Sequence, residues 1–226
     1  MNEDYYQQSR LFDFSDPTAS NTLELFPEVW QATEALAAPQ PEQRRAALER
    51  LIELDAIRFS PLAAYVLATR LIDPDLALRQ QVVSILGEIY AAQEEHSSPE
   101  VVRQHIRGYL LQLSRRGLLP ILEVAQADPA TESAVAGLLN ASPQVGDLLA
   151  EVIADRKVNL ELRRQAIYFI AKVGYLQAIP ALERLQERIE MRLNGQKVMP
   201  FVSTYDLDEA SLLSTVQATL AILRDS

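Results

Sequence analysis

The segment 160–193, LELRRQAIYFIAKVGYLQAIPALERLQERIEMRL, contains two runs of apolar residues with helical spacing, separated by Gly174. These apolar positions are Leu162, Ala166, Phe169, Ile170 and Val173 in the first run, and Ala178, Leu182, Leu185, Ile189 and Leu193 in the second. Each run falls on one face of an α-helix. Gly174 suits the left-handed residue that ends a helix, and Pro180 suits the opening turn of the next. Because two such helices cannot bury their apolar faces alone, the segment predicts a pair that stacks on similar pairs.

A second segment has the same pattern. The residues LALRQQVVSILGEI at 76–89 align without gaps to LELRRQAIYFIAKV at 160–173, so that Arg79 falls on Arg163. The offset of 84 residues corresponds to two periods of about 42 residues. Asp-Pro or Ser-Pro pairs, each of which predicts a capped helix start, recur at 60–61, 73–74, 98–99, 128–129 and 142–143. The chain is therefore predicted to form many short helices joined by tight turns.

This arrangement, with an Arg early in the first helix and a Pro at the start of the second, resembles the HEAT repeat. The resemblance covers 160–193 best and the other segments more loosely. It implies an α-solenoid of the kind that most often binds other proteins. It also implies that Arg79 and Arg163 make structural contacts that brace a turn or join neighbouring repeats.

The predicted fold is all-α, a right-handed α-solenoid of about four HEAT-like helix pairs with terminal capping helices. We expect an N-terminal tail at 1–21 and a single domain at 22–226. The predicted repeats cover about 41–72, 74–127, 129–155 and 158–193, and a C-terminal capping helix covers 206–225. Trp30, the only tryptophan, is expected in the core of an N-terminal capping helix.

Composition restricts the classes of function. The formal net charge of −10 disfavours nucleic acid as the main partner, because phosphate contacts require Lys or Arg. The absence of cysteine excludes disulfides and cysteine-based sites. The start of the chain lacks the features of a signal peptide, and no apolar run reaches the roughly 18 residues of a membrane span. These features predict a cytoplasmic protein without a membrane partner.

No motif predicts catalysis, and we assign no catalytic, cofactor-binding or metal-ligating residue. The glycines form no phosphate-binding loop, and no serine lies in a GxSxG motif. The two histidines are His96 and His105. Glu94, Glu95 and His96 are consecutive, so their side chains would diverge, and a solvated loop is favoured over a metal site.

Three HEAT-like enzyme families were compared with the sequence. Deoxyhypusine hydroxylase holds its iron with His-Glu dyads, and this sequence has no His-Glu dipeptide. HEAT-like DNA glycosylases use a basic surface, which the net charge disfavours. Phycobilin lyase subunits have no short motif that decides the comparison, so that alternative stays open.

Two stretches are candidates for partner binding. Arg103, Arg107, Arg115 and Arg116 lie in a stretch, 101–119, that contains no acidic residue. They could grip an acidic partner, or they could pair with carboxylates such as Glu123 and Glu151. The apolar loop 198–202, with Met199 and Phe201, could pack on the core or bind a partner. The predicted function is a non-catalytic protein-interaction or scaffold module. The alternative is a HEAT-like enzyme or a phycobilin-lyase-like protein that binds a small ligand in the concave face.

Overall fold

The computed structural model describes residues 26–91, 98–196 and 209–225. Every regular element in these ranges is helical, which confirms the predicted all-α class. The α-helices are α1 (Pro27–Ala35), α2 (Pro41–Glu53), α3 (Ala56–Phe59), α4 (Pro61–Ala68), α5 (Leu76–Ala91), α6 (Glu100–Leu110), α7 (Arg115–Ala127), α8 (Glu132–Asn140), α9 (Val145–Ala154), α10 (Leu160–Val173), α11 (Ile179–Gln196) and α12 (Leu213–Arg224). Short 3-10 turns occupy Thr69–Ile72, Pro129–Thr131 and Leu176–Ala178. None of the described helices is both long and apolar enough to cross a membrane.

The ends of several helices follow the chemistry predicted from the sequence. Gly174 ends α10 in the left-handed region, with φ of 84°, which glycine adopts at little cost. The Asn159 side chain accepts a hydrogen bond from the Glu161 backbone N–H at 2.8 Å and so caps the start of α10. At the start of α4 the Ser60 hydroxyl accepts from the Ala63 N–H at 3.1 Å. These contacts satisfy N–H groups that would otherwise lack partners in the first turn.

Three of the predicted Asp-Pro and Ser-Pro caps are wrong, because the helices start later than expected. The helices after 73–74, 98–99 and 142–143 begin at Leu76, Glu100 and Val145. In place of Asp73, the Asp75 carboxylate accepts from the Ala77 N–H at 3.1 Å. The hydroxyls of Ser98 and Ser142 are buried and have no hydrogen-bond partner. These two serines therefore lie in the interior without performing the predicted capping.

The core is one continuous apolar cluster that runs from α1 to α12. Trp30 does not belong to it, so the predicted core position is wrong. Val29 and Leu36 are 3% and 0% exposed, whereas the Trp30 side chain is 55% exposed. The buried face of α1 is turned slightly around the helix axis from the face that the sequence predicted. It consists of Val29, Ala32, Thr33 and Leu36.

Helices distant in sequence form two sets of packed neighbours. In one set α5 packs against α7, α7 against α10, and α10 against α12. In the other, α4 packs against α6, and α9 packs against α11, which also packs against α12. Between α2 and α5 there is instead a cavity lined by both helices. The spacing of these two helices thus leaves a recess near the N-terminal end of the described chain.

Helix α5 also packs extensively on α8, and Gly87 allows their close approach. A Cβ added at Gly87 would lie 2.7 Å from the Cα of Ala134, a backbone atom that cannot move independently of α8. At Gly108 in α6, by contrast, an added Cβ would meet no atom within 4 Å. The two glycines therefore differ in whether the fold needs them.

We predict that Gly87→Ala lowers the free energy of unfolding by about 1–3 kcal/mol, because α5 and α8 must separate to admit the methyl group. The matched variant Gly108→Ala should raise it by about 0.5–1 kcal/mol, since alanine is the better helix former. Urea unfolding monitored by circular dichroism measures both values. Equal effects of the two substitutions would contradict the packing of α5 on α8.

Candidate functional site

Three buried arginines occupy the same position in different helices. Arg44, Arg79 and Arg163 are the fourth residues of α2, α5 and α10, and they are 5%, 7% and 1% exposed. Each donates to a backbone carbonyl that precedes its own helix. The Arg44 guanidinium reaches the carbonyls of Ala38 and Pro39 at 3.0 and 2.9 Å. Arg79 reaches that of Asp73 at 2.6 Å, and Arg163 reaches that of Ile153 at 3.0 Å. Each arginine therefore braces the chain that leads into its helix.

The same guanidinium groups also bind carboxylates further along the chain. Arg44 donates to Asp73 at 2.8 Å and Arg79 to Glu123 at 2.8 Å. Arg163 donates to Glu209 at 2.7 Å. In α7 the fourth residue is Leu118, which is fully buried. The structural role that the resemblance implied for Arg79 and Arg163 agrees with these contacts.

Glu209 is the most heavily paired carboxylate among the described residues. Its side chain is 2% exposed and accepts from Arg163, Arg188 and Arg192 at 2.7, 2.9 and 2.6 Å, with Arg156 at 3.8 Å. Burial alone would raise the pKa of Glu209. The hydrogen bond from Arg163 and the charges of Arg188 and Arg156 outweigh that effect and lower the pKa below its ordinary value of 4.5. Glu209 therefore remains charged and joins α10, α11 and the segment before α12.

Two of the predicted binding arginines, Arg103 and Arg107, share one flank of α6. Arg103 is paired within its own helix, at 2.9 Å from Glu100, and lowers the pKa of that carboxyl. Its backbone carbonyl accepts from the Tyr90 hydroxyl at 3.0 Å. Arg107 is exposed. Burial raises the pKa of the Tyr90 hydroxyl, and the positive charge of Arg107 partly offsets that effect. The basic character of this flank therefore depends chiefly on Arg107.

The other predicted binding residues are not all gathered at that flank. Arg115 forms an ion pair with Asp155, the residue that follows α9, rather than with Glu123 or Glu151. Arg116 is exposed and forms no ion pair with any residue that the structure describes. Met199 and Phe201 lie outside the described residues. Pairing thus removes much of the positive charge that the sequence predicted for 101–119.

The recess between α2 and α5 is a largely apolar candidate site. Its volume is about 270 Å³. It is lined by Leu51, Ile52, Asp55, Ile57, Arg58, Ile85, Glu88, Ile89 and Ser98. Leu51, Ile57 and Ile89 are buried, whereas Ile52 is 49% exposed. The recess therefore has an aliphatic interior and an apolar residue at its surface.

Polar groups occur at a few positions around this recess. Asp55 and Glu88 are exposed, and Arg58 lies near the ring of Phe59, 5.8 Å from its centroid. Asp55 adopts the left-handed region with φ of 50°, a conformation that aspartate tolerates better than most residues. Ser98 is 2% exposed, and its buried hydroxyl has no hydrogen-bond partner. A molecule entering the recess would meet an aliphatic wall together with the charged residues Asp55, Arg58 and Glu88.

A pair of exposed aromatic residues forms a further candidate surface. Phe26 precedes α1 and Trp30 lies in its first turn, and they are 58% and 55% exposed. Half of the large apolar side chains that are exposed in the described residues fall within 26–76, namely Phe26, Trp30, Ile52, Phe59, Ile72 and Leu76. Exposed apolar side chains are therefore concentrated toward the N-terminal end.

The described residues contain no cluster of three or more potential metal ligands. His105 is exposed, and its Nδ1 lies 2.7 Å from the Val101 carbonyl of its own helix. The Glu94-Glu95-His96 run lies outside the described residues. The arrangement can bind apolar and charged groups, and it presents no nucleophile with an activating base among the described contacts.

The sequence did not predict the buried ion pairs of Glu209 or the burial of the Ser98 hydroxyl. The local spacing of Asp206 and Glu209 fits a capping box, a pattern that gives no sign of the buried ion pairs of Glu209. Its four arginine neighbours come from residues 17 to 53 positions away, and no local pattern indicates such a convergence. Ser98 was predicted to cap α6, but that helix starts at Glu100 and the buried Ser98 hydroxyl has no hydrogen-bond partner.

No family model matches the sequence, and no curated protein and no solved structure matches it significantly.

We predict that Glu209→Gln lowers the free energy of unfolding by about 3–5 kcal/mol, because the buried Arg163 loses its charged partner. The matched control is Glu161→Gln, which breaks the exposed pair with Arg164 in the same helix. Its effect should stay within about 0.5 kcal/mol. Urea unfolding measures both, and a loss below about 1 kcal/mol for Glu209→Gln would contradict the linking role of Glu209.

The pKa of Glu209 also predicts a dependence of stability on pH. Because folding lowers this pKa, the stabilisation is fully present above the ordinary value near 4.5 and is lost as the pH falls through the lower folded-state pKa. The melting temperature of the intact protein should therefore fall more steeply between about pH 5 and about pH 3 than that of Glu209→Gln. Differential scanning calorimetry across that range measures the two slopes. Parallel slopes would be inconsistent with a lowered pKa.

Proposed function

We propose that this chain is a HEAT-like, right-handed α-solenoid that acts as a non-catalytic protein-interaction module. In this architecture α2, α5, α7 and α10 are the first helices of successive repeats, so α7 starts the third repeat instead of ending the second as in the predicted repeats 74–127 and 129–155. Helix α12 caps the C-terminal end. The buried arginines at equivalent positions of α2, α5 and α10 support the assignment, since each joins its helix to a later part of the chain. The packing of α5, α7, α10 and α12 as successive neighbours supports it as well.

The exposure of Phe26 and Trp30 is the observation that carries the interaction function. Large aromatic side chains dominate binding energy at protein interfaces, and exposing them to water is unfavourable without a partner. The backbone N–H of Trp30 donates to the Phe26 carbonyl at 3.1 Å, so the two residues are close enough to enter one groove together. The partner we propose is a protein with an apolar groove that receives both side chains.

Charged residues of α6 offer a second contribution to partner binding. Arg107 is exposed beside Arg103, one helical turn away, and the pair can approach a carboxylate of the partner. Because Arg103 is already held by Glu100, Arg107 supplies most of that attraction. Met199 and Phe201 remain candidate contact residues only because their side chains are apolar.

The alternative function, binding of a small ligand, is favoured by one observation, the aliphatic recess between α2 and α5. No group of described side chains around it has the arrangement of a nucleophile, base and oxyanion donors that acyl or phosphoryl transfer requires. Binding, rather than catalysis, is therefore the activity that this recess supports.

The test is an affinity capture from cells of the source organism with quantitative mass spectrometry. The intact chain is compared with the double variant Phe26→Ala/Trp30→Ala. We expect the intact chain to capture one protein in stoichiometric amount, and the double variant to lose at least about 30-fold in affinity, which corresponds to about 2 kcal/mol.

The matched control is Met191→Ala/Ile222→Ala, which removes two other exposed apolar side chains from α11 and α12. It should capture the same protein as the intact chain. All three forms should show the same helical circular dichroism, since substitutions at exposed positions change stability by about 0.5 kcal/mol or less. Undiminished capture by the Phe26→Ala/Trp30→Ala variant, or no capture by the intact chain, would overturn the proposal.

A further inference from the structure

The groove between α9 and α11 has an apolar lining of mostly small side chains. Its volume is about 450 Å³, and its apolar lining includes Ala150, Ala154, Ala181 and Leu185. Because alanine extends only one carbon from the main chain, another helix can approach α9 and α11 closely. From Asp147 to Ala154 the groove follows α9 for about two turns. A short stretch of a second helix therefore matches the length of this surface.

Opposite charges line the two sides of the groove. Asp147 and Glu151 lie four residues apart on α9, so their carboxylates are neighbours on one helix face, and Arg184 lies on the α11 side. All three side chains are exposed. None of them forms a hydrogen bond or an ion pair with any residue that the structure describes. Arg188 differs, because its guanidinium already donates to Glu209 at 2.9 Å. The groove thus presents two unpaired carboxylates opposite one unpaired guanidinium.

The backbone around the groove indicates that its occupant is helical. Apart from the terminal turns, the N–H and C=O groups of α9 and α11 bond within their own helices. An extended segment would therefore lose water from its own backbone groups without gaining partners. A helix satisfies its backbone groups internally and can lie along the alanines. The exposed sides also disfavour a small molecule, since small-molecule sites bury most of the ligand surface.

We propose that the groove between α9 and α11 binds a helix of a partner protein, with basic residues along one edge of that helix and acidic residues along the other. Two basic residues one turn apart pair with Asp147 and Glu151, and an acidic residue on the opposite edge pairs with Arg184. Such charges discriminate between partners more than they add affinity. The groove does not include Phe26 or Trp30, so this inference does not depend on the contribution proposed for those residues.

The test uses three labelled peptides of about 18 residues, a length at which alanine-rich sequences form helices. The matching peptide has lysines along one edge, glutamates along the other and alanines between them. In the acidic peptide glutamates replace the lysines, and in the broken peptide two central prolines prevent the helix. Fluorescence anisotropy with the full chain gives the dissociation constants. We expect about 1 mM or below for the matching peptide and at least about fivefold weaker binding of the other two.

The double variant Asp147→Lys/Glu151→Lys tests whether the groove selects the peptide. It should prefer the acidic peptide, because positive charges then line both sides, and the ratio of the two dissociation constants should change by at least about tenfold. The matched control is Glu42→Lys/Glu49→Lys on α2, which changes the net charge equally and lies outside the groove. It should retain the preference for the matching peptide. Both variants should keep the helical circular dichroism, since all four substitutions are at exposed positions.

Three results would overturn the proposal. One is that the matching peptide does not bind the intact chain at millimolar concentration. Another is that the broken peptide binds as tightly as the matching peptide, which would assign the groove to an extended segment. The third is that the two double variants change the peptide preference equally. The net charge of the chain, rather than the groove between α9 and α11, would then select the peptide.

Discussion

Buried arginine–carboxylate pairs connect parts of the chain that lie far apart in the sequence. Arg44 binds the Asp73 carboxylate while Arg79 binds the carbonyl of the same residue, so Asp73 links two helices through its side chain and its backbone. Arg163 connects α10 to Glu209 in the same manner. Replacing such a pair by apolar residues can be neutral, whereas removing one partner is costly. The pairs therefore fix which helices are neighbours more than they add to the total stability.

The N-terminal end differs from the rest of the described chain in its packing. Farther along, α5 packs against α7 and α7 packs against α10, but α2 and α5 leave an aliphatic recess between them. The same end exposes Phe26 and Trp30, two of the most exposed large apolar side chains described. Unfilled apolar space and exposed aromatic side chains are both unfavourable for an isolated molecule. Their occurrence together is the physical reason for proposing this end as the binding surface.

The sequence predicts local structure well where the signal itself is local. The periodicity around Gly174 predicted α10 and α11, and the shared position of Arg79 and Arg163 predicted their equivalence. The predictions for Trp30 and Ser98 failed because each depended on a small local shift. The buried face of α1 contains Val29 instead of the neighbouring Trp30, so Trp30 is exposed. Helix α6 starts at Glu100, so the buried Ser98 does not cap it. Glu209 could not be found, because its arginines converge only after α10 and α11 have packed.

Native-state hydrogen exchange of the intact protein most directly tests whether the buried pairs join the helices into one cooperative structure. The backbone amides of α10, α11 and α12 are compared at increasing denaturant concentration, which gives the opening free energy of each helix. If Glu209 and the packing of α12 join these helices, their most protected amides should exchange through one shared opening with the same free energy. Exchange of α12 at a much lower opening free energy than α10 would show that the C-terminal helix opens independently, and it would contradict this account.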